Sequence, residues 1–270
     1  MSLARRYKVV VWDVYGTLLE GTTWGNFSLQ KSKTYFQNKR LKKIFRNYGI
    51  RALEGKSSRL GLIGKNFWRK WQKVIQKKKN WGIKNPEADQ LLIWKVGLSD
   101  FLKKEKFPGS VFEKTFFTVE QAVHPAKVYP DAVSVIQHLR KCGIKQGIVS
   151  NAQSYTLKHL EHNFKKLAPS FQMYQYFSKE LIYLSYQYGW AKPHLELFAL
   201  MKYRLDQMKI LPYETLYIGN NLIQDIRPAA HFGWDTLYFR NGANFKKSGR
   251  VRLNSCLEIS FLREIMGIVT

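Results

Sequence analysis

From Lys8 to Trp12 the chain reads Lys-Val-Val-Val-Trp, and the next residue is a carboxylate, Asp13. Apolar residues without alternation require cover on both faces, which is the habit of a strand inside a parallel sheet. The rest of the sequence past residue 130 agrees. Asp131 to Cys142 has helical spacing, with Val135, Ile136 and Leu139 on one side and Gly143 as a stop signal. Ile144 to Val149 reads as a strand, Tyr155 to His162 as a helix, and Leu181 to Leu184 as a strand. His194 to Met208 is an amphipathic helix with Leu197, Met201 and Leu205 together. Leu216 to Ile218 is then a strand, Asp225 to Phe232 a helix and Thr236 to Phe239 a strand. Strands alternating with helices imply an α/β fold, a parallel sheet with helices on both faces. Ligands of such sheets bind at the carboxyl ends of the strands.

Residues 20–127 break this rhythm. Strand signals are sparse, and the segment holds 24 Lys/Arg against 8 Asp/Glu, or +16 of the chain's total of +26. The organisation expected is a core of residues 1–19 and 128–270, with residues 20–127 inserted as a basic helical cap. Because the insert leaves and rejoins the core on Asp13's side of the sheet, it should lie over that residue. The hydrophobic fraction of 45% argues against disorder. No apolar run approaches the ~20 residues that span a bilayer, and the N-terminus runs directly into the first strand without a signal-peptide core. Two cysteines, Cys142 and Cys256, lack metal-ligand spacing, and a reduced, cytoplasmic setting is expected.

Four polar segments each follow a strand: Asp13-Val14-Tyr15-Gly16-Thr17-Leu18, Ser150-Asn151, Lys192-Pro193 and Gly219-Asn220-Asn221-Leu222-Ile223-Gln224-Asp225. A carboxylate before a Gly turn presents an oxygen nucleophile beside free backbone N–H groups. Ser150 and Asn151 suit an anion, and Lys192 brings an ammonium where Pro193 opens a helix. Each alone has a structural explanation: Asp13 as a cap, Ser150-Asn151 as a loop, Lys192 as a surface lysine, Asp225 as the N-cap of its helix. Their joint order is what points to one pocket.

That joint pattern resembles the haloacid dehalogenase superfamily, on Asp13, Gly16, Thr17, Ser150, Asn151, Lys192, Pro193, Gly219 and Asp225. The resemblance implies a Rossmann-like core and a helical cap between the first and second motifs. It also implies a hydrolase working through an ester of Asp13, with Tyr15, Ser150, Lys192 and Asp225 in the catalytic set. Gly16, Thr17 and Asn151 would bind substrate, and Asp13, Tyr15, Asn220 and Asp225 would hold Mg²⁺. Two departures matter. Tyr15 stands where phosphatases of the superfamily carry an acid, in a DVYGTL segment like that of the L-2-haloacid dehalogenases, which need no metal. Asn220 replaces a metal-binding Asp and brings no charge. Loss of a general acid costs ~10²–10⁴ in rate, least when the leaving group departs unprotonated. Asp225 is the nearest base for hydrolysing the ester, and a dehalogenase-type cap arginine is offered by Arg69 in Asn66-Phe67-Trp68-Arg69-Lys70.

The expected activity is phosphatase-type hydrolysis of a small anionic substrate, with C–halide hydrolysis as the alternative. A less favoured reading gives the basic cap a nucleic acid or other polyanion through Lys39-Arg40-Leu41-Lys42-Lys43 and Lys77-Lys78-Lys79-Asn80-Trp81, with Tyr35, Phe45 and Trp81 stacking on bases. Along the helix around Arg69, Phe67, Trp71 and Val74 form an apolar stripe opposite Lys70, Lys73 and Lys77, a pattern that core packing explains.

Overall fold

The computed structural model describes residues 7–21, 39–48, 57–102, 109–240 and 256–269. In chain order the elements are β1 (Val9–Trp12), β2 (Leu19–Glu20), α1 (Lys39–Asn47), α2 (Ser57–Asn80), α3 (Gln90–Leu102), α4 (Gly109–Val123) and β3 (Lys127–Val128). There follow α5 (Ala132–Lys141), β4 (Lys145–Ser150), α6 (Thr156–Lys165), β5 (Ile182–Leu184), α7 (Glu196–Gln207) and β6 (Thr215–Gly219). The chain closes with α8 (Arg227–His231), β7 (Asp235–Phe239), β8 (Leu257–Ile259) and α9 (Ile265–Val269).

Six strands form one sheet in the order β5-β4-β1-β6-β7-β8, every pair parallel. Side chains alternate across it. Val10 and Trp12 join Ile148, Ile218 and Leu237 in a cluster with Val135, Leu139 and Leu160 from α5 and α6. Val9 and Val11 join Val149 and Tyr217 in another, against Leu197, Phe198 and Met201 of α7. Both faces are therefore dry, which accounts for the unbroken apolar run of β1. The Gly143 stop has φ +70°, a left-handed turn that a side chain would strain. One strand of this sheet, β8, lies outside the pattern expected from sequence. Helix α7 begins at Glu196 rather than at Pro193, because Ala191–His194 is spent on a turn closed by His194 N–H donating to Ala191 O.

Register sets the site. Trp12 is level with Ile148 on one side and Ile218 on the other. Asp13, Ser150 and Gly219-Asn220 consequently emerge from three adjacent strands at one edge.

Among the described residues, the elements between β1 and β4 are helices apart from β2 and β3. These two strands pair antiparallel, Leu19 with Val128 and Glu20 with Lys127, and so hold the two ends of the insert together. Helices α1 to α4 share a hydrophobic cluster of their own, with Leu41, Phe45, Ile63, Phe67, Trp94 and Phe116 buried and Trp71 and Val74 packed against it. Phe45 is fully buried, its ring 6.0 Å from that of Trp94. It is therefore a core residue and offers no platform for a base, whereas Trp81 is 66% exposed. Tyr35 lies outside the described residues. No helix among the described residues is long and apolar enough to cross a membrane.

Where the insert meets the sheet domain, aromatic and titratable groups share a dry interface. Tyr155 packs edge-on to Phe116 of α4 at 5.6 Å and lies 6.2 Å from His159. Burial pushes the imidazoles of His159 and His124 down to about 4 from 6.5. At neutral pH both rings are uncharged, and between about 6.5 and 4 the unfolded chain takes up protons that the folded chain refuses. The stability they contribute is present above the unfolded pKa and lost as pH falls through that window. In urea, the drop in unfolding midpoint from pH 7 to pH 5 should be larger for the native chain than for His159→Leu. An identical drop in both would remove His159 from this account.

Candidate active site

Asp13 is held by its neighbours through one oxygen. Its Oδ1 accepts from the Ser150 hydroxyl at 2.9 Å and from Lys192 Nζ at 2.8 Å. Its Oδ2 accepts only a long contact, 3.3 Å, from the Thr17 hydroxyl. The carboxylate is thus oriented but not saturated, with one of its roughly four acceptor positions open on Oδ2. Its side chain is 8% exposed.

Lys192 ties the site together. Nζ donates to Asp13, to the Val149 carbonyl at 3.2 Å, to the Tyr217 hydroxyl at 3.3 Å and to Asp225 Oδ1. Burial disfavours its charge, but the two carboxylates outweigh burial and raise its pKa, so it is an ammonium. Its backbone is clamped by Asn151, which accepts from Lys192 N–H at 2.6 Å and donates to Lys192 O at 3.2 Å. One donor and one acceptor position of the Asn151 amide are therefore engaged with the lysine's main chain, a positioning role that its expected part as a substrate ligand did not include. Just ahead of Lys192 the chain is also fastened to the insert: Ala191 N–H donates to Asn85 O at 2.8 Å, and Pro86 bridges to Trp190.

Asp225 is sealed in, its side chain 2% exposed. Oδ1 accepts from Lys192 and from the Tyr217 hydroxyl at 3.1 Å, and Oδ2 from Asn221 N–H at 3.0 Å. Burial raises its carboxyl to about 6 against the pull of Lys192. The helix-capping role falls instead to Asn221, whose side-chain oxygen accepts from the N–H groups of Ile223 and Gln224. That division of labour leaves Asp225 free to face Lys192. Gly219 makes room for it, since a Cβ there would lie 2.5 Å from that of Asp225. Tyr217 is the member of this network that motif reasoning missed. Its signal was a phenol in the middle of an aliphatic buried strand, Leu216-Tyr217-Ile218, where a hydroxyl needs a partner.

Gly16 and Asn220 approach closely. Gly16 has φ +85°, and a Cβ on it would lie 2.0 Å from Asn220 Nδ2. Glycine lets the Asn220 amide close over the Asp13 loop. Tyr15 points elsewhere: its hydroxyl pairs with Thr156 Oγ1 at 3.3 Å, and its ring lies 6.4 Å from that of His159. Burial raises its pKa further above the usual phenol value. The hydroxyl therefore faces Thr156 rather than Asp13, and any metal ligand from this residue would have to be its main-chain carbonyl.

A family model described as haloacid dehalogenase-like hydrolase matches residues 7–233. The chain belongs to the haloacid dehalogenase-like hydrolases. Among curated relatives of this hydrolase are two glyceraldehyde 3-phosphate phosphatases. That of Methanopyrus kandleri is 25% identical over 209 residues, 77% of this chain and 81% of that protein. That of Methanocaldococcus jannaschii is 28% identical over 128 residues, 47% of this chain and half of that protein's length. The fold is shared with a 2-haloacid dehalogenase from Pseudomonas syringae pv. Tomato DC3000, at TM-score 0.60 and 14% identity over 97% of each chain. It is also shared with a protein described as a predicted phosphoglycolate phosphatase from Haemophilus somnus 129PT, at TM-score 0.51 and 14% identity over 99% of this chain and all of the other.

Arg69 does not belong to the hydrolase site. It is exposed on α2 and lines a groove with Asn66, Lys70, Gln72 and Lys73, to which no motif residue contributes. Residue type made it a candidate, but its position along α2 puts it on the face away from the Phe67 stripe that packs inward.

Proposed function

We propose that this hydrolase cleaves a small phosphate ester through a phospho-aspartyl intermediate on Asp13, beneath a cap formed by residues 20–127. The observation that carries the reading is the asymmetry of Asp13: Oδ1 pinned by Ser150 and Lys192, Oδ2 left with one open position. Oδ2 attacks phosphorus as the bond to the leaving oxygen breaks, the leaving oxygen takes a proton from solvent water, and Lys192 with Ser150 offsets charge that develops on the transferred group. Water then attacks phosphorus, releasing inorganic phosphate and restoring the carboxylate. Asp225, sealed and engaged at both oxygens, positions Lys192 and is not the base for the second step. The names of the curated relatives support a small phosphorylated substrate. Two unpaired cysteines are in keeping with a cytoplasmic enzyme.

The donors for a hard cation are few. With Asp225 engaged, Asp13 Oδ2 and the Asn220 amide are the side chains at the edge of the Gly16 turn, and among the described residues no three His, Cys, Asp or Glu gather around a metal position. One carboxylate, one amide and substrate oxygens fit Mg²⁺ weakly, since this ion commonly binds through one or two carboxylates plus phosphate. When bound it would neutralise phosphate charge.

C–halide hydrolysis is the second reading, favoured by one observation: among the described residues the carboxyl beside Asp13 is Asp225, which is engaged at both oxygens, and halide leaves without a proton. Acetyl phosphate hydrolysis should be seen with millimolar Mg²⁺ and fall at least tenfold when the metal is chelated. Chloride release from 2-chloropropionate that ignores chelation, with no phosphate release, would replace the first reading by the second.

A further inference from the structure

Helix α2 is 24 residues long and carries Arg59, Lys65, Arg69, Lys70, Lys73, Lys77, Lys78 and Lys79 without one acidic residue. Four of these, Lys65, Arg69, Lys73 and Lys77, follow one another at strict i, i+4 spacing, and all four are exposed. The next position in the series is Trp81, 66% exposed, with Lys77 Nζ 5.0 Å from the centre of its ring. Like charges at i, i+4 destabilise a helix, where a Glu at alternate positions would stabilise it. None of the four has an acidic partner among the described residues. Among the described residues folding therefore gains no ion pair from the ladder, and a polyanion is what it complements.

The shape of the ladder narrows the class. At 1.5 Å per residue the four cations span about 18 Å along the axis, the length of about five nucleotides at 3.4 Å each. The exposed indole at its end is a stacking surface, and cations tracking a backbone beside an aromatic platform are how single strands are held without sequence preference. A membrane surface fits less well. An interfacial helix inserts its apolar face, and here that face, Ile63 and Phe67 with Trp71 and Val74, is already packed into the cap's own core. We propose that the outer face of α2 binds single-stranded nucleic acid, from Lys65 to Trp81, independently of the Asp13 site.

The full chain is titrated with fluorescein-labelled octathymidylate and followed by anisotropy at several salt concentrations. Binding should weaken with salt at a log–log slope of about −3, from about −0.7 per phosphate engaged. The triple variant Arg69→Glu/Lys73→Glu/Lys77→Glu should flatten the slope by about 2 and weaken binding at least tenfold. Trp81→Ala should weaken binding roughly tenfold with the slope unchanged. A control triple variant in the core, Lys141→Glu/Lys145→Glu/Lys209→Glu, alters net charge equally, and circular dichroism confirms that each variant is folded. An equal loss from the core triple variant would reduce the effect to net charge and overturn the proposal. So would an unaffected Trp81→Ala, or tight binding of phosphatidylserine vesicles by a chain that ignores the oligonucleotide.

Discussion

Asp13→Asn should leave a folded protein with no measurable turnover. The amide is isosteric, and its oxygen can still accept from Ser150 and Lys192, while Lys192 keeps Asp225 as a counter-ion. What disappears is the anionic oxygen facing the substrate, and removing a covalent nucleophile costs roughly 10⁵–10⁶ in kcat. Rapid acid quench of the native enzyme with ³²P-labelled acetyl phosphate should trap label on a peptide containing Asp13, because Asp225, engaged at both oxygens, is not placed to speed its hydrolysis. The variant should trap none. Midpoints of thermal unfolding within a few degrees of each other would show that the loss is chemical. Turnover retained by the variant would exclude any mechanism through an Asp13 ester, phosphate or halide alike.

Much of this site is legible in the sequence, for a physical reason. A parallel strand buried on both faces must be wholly apolar, so the polar residue that ends it stands out. Asp13 after Val9–Trp12, and Ser150 after Gly147-Ile148-Val149, are conspicuous in this way. Register then does the gathering, because strands paired in parallel deliver their ends to one edge. Where one residue type serves two purposes, the sequence is less informative. Asn221 and Asp225 are both plausible caps four residues apart, and only backbone direction decides that Asn221 takes the N–H groups while Asp225 turns to Lys192. Asn151 reads as an anion ligand, but a side chain that both donates and accepts is equally suited to clamping a main chain. Strand β8 was illegible because Leu257 and Glu258 are exposed and Ile259 alone is buried, so an edge strand this short shows no period. The tyrosine of DVYGTL was placed in the catalytic set; its hydroxyl in fact pairs with Thr156 of α6, a long-range contact that spacing cannot reveal.

Lys192→Met tests whether that lysine is structural and electrostatic at once. It removes the cation between Asp13 and Asp225 while keeping most of the buried stem. Two carboxylates would then share a dry site with hydroxyl and N–H donors alone. Deleting one partner of a buried pair costs about 3–5 kcal/mol, which for a chain of this size lowers Tm by roughly 10 °C. kcat should fall by about 10²–10³ or more, as for loss of one donor to the developing charge. The pH dependence carries the diagnosis. Asp225 is already raised to about 6 by burial, and without the ammonium it rises further. A carboxyl raised above its unfolded value takes up a proton on folding, so the stability lost at pH 7.5 should return as pH falls through its folded pKa. The deficit of the variant should therefore be smaller at pH 5.5 than at pH 7.5. The double variant Lys192→Met/Asp225→Asn, which removes one of the stranded charges, should recover part of the loss at pH 7.5, and the cycle with both single variants measures the coupling. A deficit independent of pH, with no recovery in the double variant, would mean that Lys192 is held by packing alone and that the Asp13–Lys192–Asp225 charge network does not govern the site.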